Sequence, residues 1–109
     1  MEEYPLTVQG IVMWLRSKAS GLESRGVTLA GVQERHMHIP AAFGDFDSEQ
    51  AMGRITAWTS GHVDFEVLRT SDGKDAFIRH EMISNLDAPA LEIAFGKFLQ
   101  KMMRPDEPI

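Results

Sequence analysis

Between Met52 and Ile83 the chain reads MGRITAWTSGHVDFEVLRTSDGKDAFIRHEMI. Three short runs of alternating apolar and polar residues are broken at Ser60-Gly61 and Asp72-Gly73. Alternation sends successive side chains to opposite faces of a strand, and a Gly-bearing turn between two such runs predicts an antiparallel hairpin. Two hairpins in succession predict a β-meander. Its polar positions are largely carboxylates and histidines, among them Asp64, Glu66, His80 and Glu81. With no nucleophile and no glycine-rich phosphate loop beside them, they suit a docking surface better than an active site.

The flanks read as helices. Val8, Ile11, Val12, Leu15, Ala19 and Leu22 form one apolar stripe, which predicts a helix over about 7–25 with Thr7 as N-cap and Gly26 as its stop. Met13 and Trp14 flank the stripe as core-edge residues. A second helix is predicted over about 88–103, capped by Asp87, with Pro89 in its first turn. Leu91, Ala94, Phe95, Phe98, Leu99 and Met102 make its apolar face. Lys97, Lys101 and Arg104 lie toward its C-terminal end, where positive charge complements the helix dipole. Residues 104–109 read as a frayed tail.

Residues 27–39 read as one strand broken near Gly31, ending before Pro40, which disfavours helix at the preceding residue. A further strand is centred on Phe43–Phe46. The fold class is therefore α+β: an antiparallel meander of about four strands, flanked by an N-terminal and a C-terminal helix in a two-layer sandwich. With one apolar stripe each, both helices cover the same sheet face and leave the other to solvent or a partner. At 109 residues, 43% of them hydrophobic, the chain suits a single globular domain spanning 1–109.

Register decides which side chains face outward. A two-residue Asp72-Gly73 turn pairs Val67 with Ile78 and Phe65 with His80. On the other face it pairs Leu68 with Phe77, Glu66 with Arg79, and Asp64 with Glu81. The last pair sets like charges side by side, which destabilises a sheet unless a partner supplies a base. A one-residue bulge at the turn would reassign the whole set. Trp58 is open to two readings: an aromatic anchor for a partner, or a core residue sharing a face with Val63 and Phe65. A two-residue Ser60-Gly61 turn favours the core.

Charge points the same way. The formal net charge is −5, and residues 45–87 hold nine acids against the four bases Arg54, Arg69, Lys74 and Arg79. Such a surface repels phosphate backbones, disfavouring nucleic acid, and attracts a basic protein. There are no cysteines, which excludes disulfides and thiolate chemistry and suits a reducing cytosol. The start MEEYPLTVQG lacks a secretion signal's features, and no run is apolar enough for a membrane span. The expected compartment is the cytoplasm.

His36 and His38, on one face of a strand with Glu34 two residues earlier, could bind a divalent metal, but the pattern identifies no ligands to complete the site. His80 and Glu81 are adjacent, so a strand sends them to opposite faces; His80 reads as a partly buried sheet histidine. No serine sits in a G-x-S-x-G elbow. An open sheet does not desolvate carboxylates enough to tune them for acid–base work. The seven methionines read as adaptable core filler. No cofactor is called for.

GRITAWTSGHVDFEVLRTSDGK…FIRHEMIS, followed by an amphipathic terminal helix, resembles the small bacterial immunity proteins of the TriTu type. The matching pattern is an Arg/Ile/Thr strand ending in an aromatic, a Gly turn, a D-x-E-V-L strand, a second Gly turn and an H-E strand. It covers roughly half the chain, from about Phe46 to Met103. Proteins of this type are encoded beside polymorphic Rhs-type toxins, and members guard against an ADP-ribosyltransferase that modifies elongation factor Tu. The resemblance implies a non-enzymatic inhibitor that binds a cognate toxin domain and occludes its active site. The candidate interface is Asp64, Glu66, Arg79 and Glu81, with Trp58 as anchor, on a protein that is a monomer or weak dimer when free. Two other readings are a metal-dependent enzyme using Glu34, His36 and His38, and a homodimeric adaptor pairing through its sheet.

Overall fold

A computed structural model describes residues 4–108. Glu2, Glu3 and the last tail residue, Ile109, lie outside them. The chain runs α1 (Val8–Ser17), a 3-10 turn (Glu23–Arg25), β1 (Val27–Arg35), β2 (Ala41–Ser48), β3 (Ala51–Trp58), β4 (His62–Arg69), β5 (Asp75–Met82) and α2 (Pro89–Met103). The strands form one antiparallel sheet in the order β1-β2-β3-β4-β5. It is the expected meander with a fifth strand, because residues 41–48 pair along their whole length.

Helix α1 starts as predicted: the Thr7 hydroxyl accepts from the Gly10 N–H at 3.0 Å. It ends at Ser17, about two turns early. Lys18 is its C-cap; turns follow through Gly21 at φ +80°, and after the 3-10 turn Gly26, at φ +77°, leads into β1. Leu22 still reaches the core from this turn. At α2, Ala88 rather than Asp87 holds the N-cap position and makes no side-chain bond there; Pro89 supplies a fitting φ and has no N–H to satisfy. Beyond α2 the Lys101 ammonium donates to the carbonyls of Pro105 (3.3 Å) and Glu107 (2.6 Å), and Pro105 is buried. The segment read as frayed is tied back onto the helix.

Both helices pack on one face, on Val27, Ala42, Phe46, Ile55, Phe65 and Val67. Trp14 is fully in this core, edge-on to Phe95 with centroids 6.4 Å apart. Lys18 bridges the helices: it pairs with Glu92 and sits 5.6 Å and 5.2 Å from the Trp14 and Phe95 ring centroids. Helix α2 packs directly on Gly53, where a Cβ would lie 2.6 Å from both Met102 Sδ and Phe98 Cζ. Only a residue without a side chain lets α2 settle there.

Two hairpins differ from the expected geometry. Arg69 N–H donates to Lys74 O, closing a four-residue loop in which Gly73 has φ +70° and the Asp72 carboxylate accepts from Lys74 N–H at 2.9 Å. A bulge follows where Leu68 meets Asp75 and Val67 meets Phe77. The register therefore shifts by one residue: Glu66 opposes Ile78, Phe65 opposes Arg79, Asp64 opposes His80 and Val63 opposes Glu81. The Asp64–Glu81 and Glu66–Arg79 pairs do not form. The β3–β4 connection is Thr59–Gly61 rather than two residues, with Gly61 at φ +101° and its N–H donating to Trp58 O. Ala57 thus faces Val63 on the core side, and Trp58 turns to the other face. β1 carries a bulge between Leu29 and Gly31, the predicted break.

Candidate functional site

The sheet face away from the helices is open, and the registers lay out its side chains in rows. One row reads Gly31, Asp45, Arg54, Glu66, Ile78 across the five strands; the next reads Gln33, Phe43, Thr56, Asp64, His80. Beyond these, Asp47 and Met52 pair at one end, and Ala41 and Trp58 at the other.

At the centre of this face Phe43 is only 3% exposed, although no helix covers it. Its cover is cationic. The Arg54 Cζ lies 4.1 Å and the Arg35 Cζ 5.0 Å from the ring centroid. A guanidinium over an aromatic face is attracted by the ring quadrupole while its methylene stem shields the ring edge. Arg54 is itself held in a fork: Nε donates to Asp45 Oδ1 at 2.7 Å and Nη2 to Oδ2 at 3.2 Å. That hydrogen bond is the main reason its pKa is raised, with the charges of Asp45 and Glu66 adding to it against partial burial. The basic group thus stays charged between two carboxylates.

Around this centre the face carries exposed apolar side chains. Met52 is 48% exposed, Ile78 52% and Met82 66%. Met37 and Ile39 are also exposed, on the loop between β1 and β2. Pro40 O accepts from Thr59 N–H, which holds that loop beside the β3–β4 turn and the Trp58 end of the sheet. The methionines read as core filler are instead mostly at the surface: Met13, Met37, Met52 and Met82 are all exposed. A flexible, polarizable side chain is as useful on a binding face as in a core.

The sequence-derived candidates divide. Asp64, Glu66 and Trp58 share the open face, Trp58 half-buried there rather than in the core. His80 is exposed on the same face and pairs with Asp64 through Nδ1 at 2.5 Å, not partly buried as read. Arg79 and Glu81 point to the helix side of the edge strand, opposite Phe65 and Val63, and pair with each other at 2.7 Å. Glu34 accepts from His36 at 3.0 Å, but β1 ends at Arg35, so His36 and His38 sit on the following loop rather than along one strand face. Among the described residues no three metal-ligating side chains gather.

Sequence reasoning missed Phe43, Arg35 and Arg54. A signal was present: Phe43 and Phe46 are three apart, so one strand must send them to opposite faces. The second of them fills the core, which leaves the first on the open side.

A family model of the TriTu immunity proteins matches residues 9–101, nearly the whole described chain. The chain belongs to the TriTu immunity protein family. The match extends the resemblance beyond the meander to α1, β1 and β2. Membership in the TriTu family makes immunity its function and a cognate toxin its partner. A comparison with curated proteins gives no match. No helix among the described residues is long and apolar enough to cross a membrane.

Proposed function

We propose that this TriTu protein neutralises its toxin by direct, non-catalytic binding through the open sheet face, occluding the toxin's active site. The observation that carries this reading is Phe43, an aromatic side chain held under two arginines on a face with no helix. Rigid aromatic and arginine groups at the centre of a surface are the usual anchors of protein interfaces. Asp64, Glu66 and Trp58 flank that centre, and Met52, Ile78 and Met82 surround it.

The face is large enough. Five strands about 4.8 Å apart and about eight residues long at ~3.3 Å each make a plane of roughly 20 by 25 Å. Adding side-chain relief, that approaches the ~800 Å² per partner of a standard interface. We infer an ADP-ribosyltransferase acting on elongation factor Tu as the toxin. The carboxylates support this, since a cleft that takes a dinucleotide's phosphates is commonly basic.

The test is to co-express the chain with the toxin encoded beside it. Rescue of growth, co-purification with a catalytically inactive toxin, and loss of toxin-dependent ADP-ribosylation of elongation factor Tu in vitro are the expected results. Rescue without a complex would overturn direct binding. A complex that leaves the toxin's active site open to its dinucleotide would overturn occlusion.

A further inference from the structure

We infer that the free edge of β5 pairs with the β5 edge of a second copy of this chain, forming a two-fold dimer centred on His80. Among the described residues no strand pairs with the outer side of β5. After the bulge at its start, β5 runs from Phe77 to Met82 in unbroken register, with no proline or lysine. Proline and lysine are two of the devices that blunt an edge; a third, inward-pointing charge, is present in Arg79 and Glu81, which are of opposite sign and can pair across a two-fold. β1, at the other edge, is interrupted mid-strand by its bulge.

The backbone sets which residues can pair. Ile83 N–H donates to Gly61 O, on the β4 side. In an antiparallel strand the N–H and C=O of one residue point the same way and alternate along the chain. Ile78, His80 and Met82 therefore present their backbone groups to the free edge. A two-fold through His80 turns these into three pairs: His80 with its own copy, and Ile78 with Met82 in both directions.

The side chains select that centre. It places Ile78 (52% exposed) against Met82 of the second copy (66% exposed) on the open face. On the helix side it places Arg79 against Glu81 of the second copy, twice by symmetry. Moving the centre one residue either way sets Arg79 against Arg79 or Glu81 against Glu81, and like charges directly opposite are destabilising. The edge is complementary to itself in one register, as an isologous contact requires. Strand pairing alone buries less than the ~1,200 Å² of a stable interface, so the dimer is expected to be reversible. Because the axis is normal to the sheet, both open faces stay on one side and remain accessible.

Charge and cross-linking variants test this. Arg79→Glu and Glu81→Arg should each abolish dimerisation in sedimentation velocity across the micromolar range. An equimolar mixture of the two should recover it as a heterodimer, which a purely intrachain role of the Arg79–Glu81 pair would not produce. Since the chain has no cysteine, His80→Cys should form a disulfide-linked dimer under mild oxidation, and Glu81→Cys should not. A wild-type chain that stays monomeric throughout, no recovery on mixing, or equal cross-linking at both positions would overturn the proposal.

Discussion

The Arg54 guanidinium lies over the ring of Phe43, its Cζ 4.1 Å from the centroid, while its nitrogens grip Asp45 from the neighbouring strand. One arginine thus seals an aromatic on the face opposite the hydrophobic core. The arrangement preorganises a flat, amphipathic centre whose side chains have lost much of their rotamer freedom before any partner arrives, which reduces the ordering cost of binding.

Removing that arginine should separate binding from folding. Arg54→Ala is expected to weaken toxin affinity by about tenfold or more, as for a central interface residue. The half-exposed Arg54–Asp45 pair is worth about 1 kcal/mol or less, and the part of the Phe43 ring that Arg54 covers, still shielded by Arg35, adds a similar amount to the loss of stability. Arg54→Lys should lose most of the same affinity, because an ammonium neither forks onto a carboxylate nor stacks on a ring. Calorimetric titration and thermal melts measure the two quantities.

Charge reversal should discriminate the two faces of the sheet. Asp64→Lys and Glu66→Lys, on the open face, should weaken toxin binding with the melting temperature nearly unchanged. Arg79→Glu, on the helix side, should leave the toxin association rate unaltered. Equal loss of affinity from both groups would move the interface to the β5 edge.

Gly53→Ala should destabilise the fold by about 1–3 kcal/mol, the usual cost of overpacking a core. The added methyl would sit 2.6 Å from Met102 Sδ and Phe98 Cζ, so α2 must move away. Denaturant titration gives the value directly. A neutral result would mean that α2 is not seated as closely as the structure has it.

Thr7→Ala should cost about 1 kcal/mol by leaving the Gly10 N–H without its side-chain acceptor at the start of α1. Thr7→Ser, which keeps the hydroxyl, should restore most of it.

Acid should loosen the β4–β5 hairpin through Asp72. Its carboxyl is held below the usual aspartate range, first by the Lys74 N–H and then by Arg69. A carboxyl with a depressed folded pKa adds stability above its unfolded value of about 3.9, and that contribution fades as pH falls through the lower folded value. Asp72→Asn should therefore be slightly less stable than the wild type at neutral pH. The gap should close as pH is lowered through and below that unfolded value; a gap independent of pH would exclude the charge.

Much of the site was legible in residue types but not in their placement. Asp64, Glu66 and Trp58 stand out in the sequence and do share the open face. Arg79 and Glu81 were set with them because the one-residue bulge that follows the Asp72-Gly73 turn was not in the count. In a structure of period two, one residue of slip exchanges the faces of an entire strand. The same arithmetic sent Trp58 to the core when its turn has three residues rather than two. On β5 the bulge makes the difference, because a four-residue loop alone keeps the parity of a two-residue turn, and no hydrophobic pattern records where the extra residue falls.

Alternation, apolar stripes, the Thr7 cap and the glycine turns determined by themselves that this chain folds as a meander with two helices on one side. Those signals are local, and each depends on residues a few positions apart. Tertiary structure alone decided that Phe43 lies under Arg35 and Arg54, that α2 rests on Gly53, and that β5 ends the sheet with Arg79 and Glu81 on its helix side. Each of these depends on register between strands or on contact between elements far apart in the chain. Loop hydrogen bonds and packing set those relationships, and periodicity does not carry them.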